Sequence, residues 1–263
     1  MNLHQYYSNY NEGERLLKTR SRQMEYLSTI KALSAFLTNE SEVIELGAGE
    51  GVYIDHISLK CKTYYATDVV DKHIKEMKVK AKDKNNVIVQ YANAVDMSSY
   101  SESKFDIVLC LGPYYHLNNE ENRQKCIMEC KRICKNNGYI AISSINKMFV
   151  NLIYLQYGIN FNTNEYECLI NGENRQLGYK DKFLKISYFN TPEEIESEVK
   201  KEGLEIIDHL RTDGPYSILD EKLEKLSCND FESIMEFHYK TCRERSVLGM
   251  SNHGLIICKN RKL

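Results

Sequence analysis

The fold is decided by residues 43–51, which read Val43-Ile44-Glu45-Leu46-Gly47-Ala48-Gly49-Glu50-Gly51. An apolar run of strand length leads into three glycines, and a helix-period segment follows from Val52 to Leu59. Glycine allows a tight turn and lets a ligand approach the main chain, and the start of the next helix presents free N–H groups. The pattern predicts a strand, a ligand-binding turn and a helix, with a loop that binds no ligand as the alternative.

Short apolar runs alternate with amphipathic segments through the first half of the chain. The strand-like runs are nearly continuous in apolar residues, which is typical of strands buried on both faces: Glu42 to Leu46, Thr63 to Ala66, Val87 to Tyr91, Phe105 to Leu111 and Tyr139 to Ile145. Helical periodicity lies between them, over Val52 to Leu59, Lys72 to Ala81 and Glu120 to Cys134. This alternation predicts an α/β fold, a parallel sheet with helices on both faces.

The pattern loosens after Ile145, and residues 146–190 are interpreted as an insertion over the edge of the sheet. A capping Thr191, Pro192 and two acids then predict a helix that ends at Lys201. Leu204 to Leu210 and Gly254 to Cys258 are predicted strands, with one or two helices over about 219–245 between them. A helix over roughly 13–37 is expected before the first strand.

Composition excludes several classes of protein. The 263 residues predict one domain over 1–263, and 35 Lys and Arg against 37 Asp and Glu leave a net charge of −2, so nucleic acid is an unlikely partner. No apolar run approaches the ~18 residues of a membrane helix, and no signal peptide is visible. Nine cysteines without a framework spacing favour a reduced, cytoplasmic protein.

The chemistry of the glycine-rich turn separates two classes of ligand. Dinucleotide-binding folds use G-x-G-x-x-G with a pyrophosphate at the helix start, whereas here the spacing is G-x-G-x-G, at 47, 49 and 51. Glu45 lies two residues before the first glycine. Its carboxylate would repel a pyrophosphate but not a sulfonium or ammonium cation, so a cationic ligand is expected.

The segment Glu45-Leu46-Gly47-Ala48-Gly49-Glu50-Gly51 resembles motif I of class I S-adenosylmethionine-dependent methyltransferases, and the resemblance extends over most of the chain. It implies a Rossmann-like, seven-stranded mixed sheet in which strands six and seven form an antiparallel edge pair. It also implies S-adenosyl-L-methionine as the cofactor and S-adenosyl-L-homocysteine as the product.

The resemblance also assigns the cofactor-binding residues. Asp68, at the end of the second strand, corresponds to the ligand of the ribose hydroxyls. Asn93-Ala94 replaces the family's Asp-Ala pair at the adenine edge, with Asp96 as an alternative acceptor. Val69 and Met97 are expected to sandwich the ring, with an ordinary core position as the alternative for either. The full predicted set is Glu45, Gly47, Ala48, Gly49, Gly51, Asp68, Val69, Asn93, Ala94, Leu111, Gly112, Tyr6 and Arg15.

The fourth strand leads into Gly112-Pro113-Tyr114-Tyr115-His116-Leu117, which is similar to motif IV of a bacterial subgroup with a Gly-Pro-x-Tyr-His-Leu pattern. Exocyclic-amine methyltransferases have Asn/Asp-Pro-Pro-Tyr here, but Leu111 and Gly112 offer no side-chain acceptor. In the family this motif lies beside the methyl group. The candidate catalytic residues are therefore His116, Tyr115 and Tyr7, and the candidate substrate pocket is Tyr114, Tyr115, His116 and His238.

Three further segments are interpreted as covers of the site. Residues 1–37 are expected to form a helix preceded by a lid, in which Tyr6 and Tyr7 close over the cofactor and Arg15 reaches its methionine carboxylate; a frayed terminus is the alternative. Residues 146–190 and about 219–245 are expected to cap the substrate.

A metal site is not predicted. Cys126, Cys130 and Cys134 are spaced i, i+4 and i+8, so they share one helical face, and small apolar core residues explain that pattern.

The function predicted from sequence is methyl transfer from S-adenosylmethionine to a small-molecule acceptor by in-line displacement, in a monomer or homodimer with no membrane partner. A macromolecular (RNA or protein) methyltransferase and a catalytically silent S-adenosylmethionine-binding protein remain as alternatives.

Overall fold

The structure is a computed structural model that describes residues 3–7, 15–174 and 182–262. Its centre is a seven-stranded sheet in the order β3-β2-β1-β4-β5-β7-β6. The strands are β1 (Glu42–Leu46), β2 (Thr63–Asp68), β3 (Val87–Tyr91), β4 (Phe105–Cys110), β5 (Cys134–Ile145), β6 (Leu204–Arg211) and β7 (His253–Asn260). The first five strands are parallel, and β7 runs antiparallel to both β5 and β6. The predicted mixed sheet is confirmed.

Strand order reverses between β1 and β4, because β2 and β3 lie on one side of β1 while β4 and β5 lie on the other. In open α/β sheets ligands bind beyond the carboxyl ends of the strands at such a switch point. Residues after β1, β2 and β4 are therefore placed to build a common site.

Helices cover the sheet and extend from it. They are α1 (Leu3–Tyr7), α2 (Arg20–Ser34), α3 (Ile54–Ile57), α4 (Asp71–Lys80), α5 (Glu120–Ile133), α6 (Lys147–Gln156), α7 (Thr163–Asn171), α8 (Lys182–Ile186), α9 (Pro192–Lys201), α10 (Asp220–Leu223), α11 (Cys228–Thr241) and α12 (Arg245–Leu248). Short 3-10 turns occupy Arg15–Leu17, Ser58–Lys60, Tyr114–His116 and Gly214–Leu219. No helix in the described ranges is long and apolar enough to cross a membrane.

Both faces of the sheet are packed, because side chains alternate along each strand. Ile107 of β4 packs in the cluster that contains Ala32, Ile54 and Met77, from α2, α3 and α4. Its neighbour Val108 packs in the opposite cluster, with residues of α5 and α9. Continuous apolar runs therefore predicted the central strands correctly.

Several boundaries differ from the predicted ones. Strand β5 begins at Cys134, not at Tyr139, because Cys134 pairs with Phe105 across an irregular stretch in which Asn137 has φ 64°. Strand β3 is an edge strand with exposed Gln90 and Tyr91, so it is not buried on both faces. The helix expected over 13–37 spans Arg20–Ser34.

The cysteines of α5 lie in the apolar interior, since Cys126, Cys130 and Cys134 are all buried in one cluster. A fourth thiol, Cys110 at the end of β4, lies 3.6 Å from the sulfur of Cys126. The thiols of Cys110, Cys126 and Cys130 come within 4.8 Å of one another. Their packing agrees with core residues, and the absence of a metal stays a prediction.

Candidate active site

A first cavity opens at the switch point, over the carboxyl ends of β1, β2 and β4. Fourteen of the predicted site residues line it: Tyr7, Arg15, Glu45, Gly47, Ala48, Gly49, Asp68, Val69, Asn93, Ala94, Leu111, Gly112, Tyr115 and His116. The structure thus brings together the turn after β1, the end of β2 and motif IV.

The glycines of the turn after β1 differ in what surrounds them. Gly47, Gly49 and Gly51 have φ of 63°, 58° and 74°, a region that L side chains rarely adopt. A Cβ on Gly47 would lie 2.5 Å from Cγ of Pro113, so this glycine lets motif IV approach the turn. Gly51 does not line the cavity, and its Cβ would overlap Cδ1 of Ile54. A Cβ there would meet the core residues Ile54 and Met77, and the predicted contact of Gly51 with a cofactor stays a prediction.

Asp68 ties the glycine turn to the end of β2. Its Oδ2 accepts the N–H of Gly49 at 2.9 Å, and its Oδ1 accepts the N–H of Val70 at 2.8 Å. His73, at the start of α4, places Nδ1 3.2 Å from Oδ1. A carboxylate has about four acceptor positions, so Asp68 can hold the turn and still accept hydroxyl donors from a ligand.

Glu45 is a buried carboxyl group in the floor of the first cavity. Burial is the main cause that raises its pKa to about 7, against a lowering by the hydrogen bond from the Tyr64 hydroxyl. A cation bound nearby would favour the ionised carboxylate and offset its loss of hydration. A sulfonium or ammonium ligand in this cavity would therefore lower the pKa of Glu45 and be stabilised by the carboxylate that forms.

Asn93 and Asp96 differ in their access to the cavity. Asn93 lines it, with Oδ1 also accepting the N–H of Val95 at 3.2 Å. Asp96 is not a lining residue, and its Oδ1 accepts the N–H of Ser98 at 3.2 Å. Met97 lies fully buried in the sheet core. The Asn93 assignment is therefore favoured over Asp96, and Met97 is a core residue.

Tyr7 and His116 form a hydrogen-bonded pair in the wall. The Tyr7 hydroxyl lies 2.7 Å from Nε2 of His116, and Nδ1 lies 3.2 Å from the carbonyl oxygen of Ile186. A carbonyl can only accept, so Nδ1 carries the imidazole hydrogen and Nε2 accepts from Tyr7. Burial is the main cause that lowers the pKa of His116 to about 4, so the ring is neutral near pH 7.

Arg15 lines the first cavity and forms a two-pronged ion pair with Glu25 of α2, at 3.1 and 3.2 Å. Glu25 was not predicted to belong to the site. It lies on a face of α2 that carries small and polar residues at helical spacing, including Ser21, Ser28 and Thr29. This pattern of small and polar residues was the signal in the sequence that this face of α2 borders a cavity and not an apolar core.

A second cavity adjoins the first and encloses about 340 Å³. Tyr7, Arg15 and Tyr115 line both cavities. The walls of the second are mainly aromatic and aliphatic: Tyr6, Tyr7, Tyr115, Ile145, Val150, Ile153, Tyr154, Tyr157, Ile159, Phe183 and Phe189. Its polar lining is Arg15, Arg22, Asn252 and His253. Cavities of this size and character take small molecules.

Besides Gly51, three predicted residues do not line the first cavity. Tyr6 lines the second cavity and not the first. Tyr114 lines neither, because its hydroxyl donates to Oε2 of Glu198 at 2.8 Å on the opposite face of the sheet. His238 is fully buried in α11, with its ring centroid 6.1 Å from that of Tyr216, and it also lines neither cavity.

The two predicted caps also differ. Segment 146–190 supplies α6 and α8, whose residues Val150, Tyr154 and Phe183 line the second cavity. No described residue of 219–245 lines either cavity, because Leu223 and Met235 pack against Met24 of α2. The predicted cap over 219–245 therefore gains no support from these two cavities and stays a prediction. Of the predicted lid, residues 1–2 and 8–14 lie outside the described residues.

The comparisons with known proteins agree with this geometry. Residues 44–142 match the model of a family described as a methyltransferase domain. No curated protein matches the chain significantly.

Solved structures with the same fold include an S-adenosylmethionine-dependent methyltransferase from Methanosarcina mazei (14% identity, 88% of this chain and 98% of that chain, TM-score 0.58). The N-methyltransferase NodS from Bradyrhizobium japonicum WM9 is also similar (12% identity, 92% and 97%, TM-score 0.54). The [4+2]-cyclase SpnF is similar too (11% identity, 90% and 80%, TM-score 0.56). At these identities the similarity shows the fold alone.

The family match covers the glycine turn, Asp68 and residues 112–117, which supply much of the lining of the first cavity. Residues 44–142 therefore match a methyltransferase domain, and the seven-stranded sheet that contains them has the fold of the solved methyltransferases; together these findings support an S-adenosylmethionine-dependent methyltransferase.

Proposed function

We propose that this enzyme methylates a small molecule, with the cofactor in the first cavity and the acceptor in the second. The observation that carries the proposal is the junction of the two cavities, where Tyr7 and Tyr115 line both. An acceptor in an aromatic cavity of about 340 Å³ would be enclosed on several sides, whereas a macromolecular substrate needs an open surface.

The proposed cofactor contacts follow from the chemistry of each lining group. Asp68 accepts the ribose hydroxyls, Asn93 and Ala94 meet the adenine edge, and Val69 packs on the ring. Glu45 supplies the negative charge of the floor, and Arg15 binds the methionine carboxylate beside its ion pair with Glu25. When bound, S-adenosylmethionine supplies an electrophilic methyl group attached to a sulfonium.

The protein's own contribution is mainly positioning. Tyr7 and Tyr115 bring aromatic faces to the junction, and such faces attract a cation. Enclosure excludes water and holds the reacting atoms in line, which lowers the entropic part of the barrier.

The Tyr7–His116 pair offers a route for a proton if the acceptor must lose one. The Tyr7 oxygen would take the acceptor's proton while Tyr7 passes its own to Nε2 of His116, which already accepts that hydrogen bond. Because the pKa of His116 lies near 4, the imidazolium forms only transiently at neutral pH. The proposed catalytic residues are therefore Tyr7, Tyr115 and His116.

Labelled methyl transfer tests the proposal. The enzyme is incubated with S-adenosylmethionine carrying a tritiated methyl group and with a bacterial extract separated into small-molecule and macromolecular fractions. We expect label in organic products of the small-molecule fraction, with no transfer by a Gly49→Val control. Label confined to protein or RNA would support the macromolecular alternative. Absence of transfer by an enzyme that binds S-adenosylhomocysteine would support the silent binding protein.

A further inference from the structure

The charges around the second cavity are unequally compensated. Three of its lining residues can carry a positive charge: Arg15, Arg22 and His253. Arg15 pairs with Glu25. Nδ1 of His253 lies 2.8 Å from Asp213 and 3.3 Å from Glu25. Arg22 pairs with no carboxylate anywhere in the described ranges.

Arg22 is half-buried in the first turn of α2 and contributes to the wall of the second cavity. The carboxylates that contact the other two cationic residues of this lining, Glu25 and Asp213, pair with Arg15 and His253. A guanidinium that is partly removed from water loses hydration, and an anion held against it restores that loss. Among the described residues of its lining, the second cavity therefore has one uncompensated positive charge, in a wall that is mainly aromatic and aliphatic.

We propose that the methyl acceptor is a monoanion: an aromatic or apolar small molecule whose single carboxylate binds Arg22. This inference rests on the proposed function and names the substrate class of its second cavity. The planar guanidinium can donate two parallel hydrogen bonds to a carboxylate, which fixes the orientation of the acceptor as well as its affinity. The tyrosine and phenylalanine side chains of the wall then pack against its body.

The same charges discriminate against other acceptors. An amine that is protonated when it binds would meet Arg22, and none of the described lining residues is a carboxylate that could offset the repulsion. A dianion would retain an excess negative charge, because one cation among the described lining residues is uncompensated. A neutral molecule would pack equally well but would leave Arg22 without a partner.

Calorimetry with simple carboxylates tests the substrate class. The full chain is first titrated with S-adenosylhomocysteine, and the saturated protein is then titrated with benzoate, phenylacetate and cinnamate. Their neutral amides and benzylamine serve as comparison ligands. We expect saturable binding of at least one carboxylate, weaker binding of its amide, and weaker binding still of benzylamine.

Variants of Arg22 connect this binding to one side chain. Arg22→Gln should weaken carboxylate binding roughly tenfold to a hundredfold, Arg22→Lys should retain part of it, and amide binding should not change. Arg20→Gln is the matched control, because Arg20 lies on the same helix but donates to the carbonyls of Leu223 and Leu226 and lines neither cavity.

The inference would be overturned if Arg22→Gln bound the carboxylate as tightly as the parent protein does. It would also be overturned if the parent protein bound an amide at least as tightly as the corresponding carboxylate, or if it bound none of the carboxylates. Arg22 does not line the first cavity, so binding of S-adenosylhomocysteine should survive its substitution. If S-adenosylhomocysteine fails to bind to the unaltered enzyme, the proposed function fails and not only the substrate class.

Discussion

The hydroxyl of Tyr7 donates a 2.7 Å hydrogen bond to Nε2 of His116, and this contact joins α1 to the turn after β4. The carbonyl of Ile186 accepts from Nδ1 of the same ring at 3.2 Å, so both imidazole nitrogens are occupied and the tautomer is defined. Tyr7 lines both cavities and His116 lines the first. The pair is therefore placed where a methyl group would pass from one cavity to the other.

Tyr7→Phe should remove that hydrogen bond and leave the ring in place. We expect the nitrogen-15 resonance of Nε2 in His116 to shift, and methyl transfer to fall by about a hundredfold if the acceptor loses a proton during attack. Affinity for S-adenosylhomocysteine should change little. Tyr6→Phe is the control, because Tyr6 lines only the second cavity. An unchanged His116 resonance in Tyr7→Phe would refute the pairing.

Asp68→Ala should weaken binding of S-adenosylhomocysteine by tenfold to several hundredfold, because a hydrogen bond to a charged group contributes ~1.5–3 kcal/mol. The variant also removes the acceptor for the N–H groups of Gly49 and Val70. Asp68→Asn keeps one acceptor oxygen, so its affinity for S-adenosylhomocysteine should lie between those of the parent protein and Asp68→Ala. Calorimetry on folded protein measures this, and unchanged affinity in both variants would rule out the ribose assignment.

Gly49 and Gly51 should respond differently to substitution, although both have positive φ. Gly49→Val places a side chain in the first cavity, so binding of S-adenosylhomocysteine should be lost while the sheet stays folded. Gly51→Ala should lower the thermal unfolding midpoint, since its Cβ meets Ile54 and Met77, with little loss of affinity in the folded protein. Similar affinities for the two variants would show that the cavity is not the cofactor site.

Stability should fall as the pH is lowered, in part because of His238. Burial is the main cause that lowers its pKa from 6.5 to about 4, so the unfolded chain binds a proton over this interval and the folded chain does not. The contribution of neutral His238 to the free energy of unfolding is therefore present above pH 6.5 and is lost as the pH falls toward 4. Between about pH 7 and about pH 5, His238→Gln should reduce the pH-dependent loss of unfolding free energy by about 1–2 kcal/mol. Urea denaturation of both proteins provides the measurement, and parallel pH profiles would contradict the assignment.

Local chemistry made much of the first cavity predictable. The turn at Gly47 and Gly49 needs positive φ, and Asp68 follows a recognisable strand, so both positions depend on neighbours in sequence. The direction in which a side chain points from a short turn cannot be predicted from its neighbours in sequence. Tyr114 and Tyr115 are adjacent, yet one hydroxyl meets Glu198 beneath the sheet while the other ring lines both cavities.

The second cavity was less predictable because its walls come from distant parts of the chain. Tyr7, Tyr154 and His253 meet only after β5, β7 and α6 are assembled. His253 opens the last strand, and its contact with Asp213 and its place in the lining depend on tertiary packing. In segment 219–245, Leu223 and Met235 pack against Met24 of α2, a contact that also depends on tertiary packing.

Hydrogen exchange with the two kinds of ligand tests most directly whether the cavities divide cofactor from acceptor. S-adenosylhomocysteine should slow amide exchange in the glycine turn, around Asp68 and Val69, and around Asn93 and Ala94, with little effect on α6. A carboxylate added to the saturated enzyme should then slow exchange in α6, where Val150 and Tyr154 line the second cavity. Protection of α6 by S-adenosylhomocysteine alone, with the glycine turn unprotected, would contradict the account.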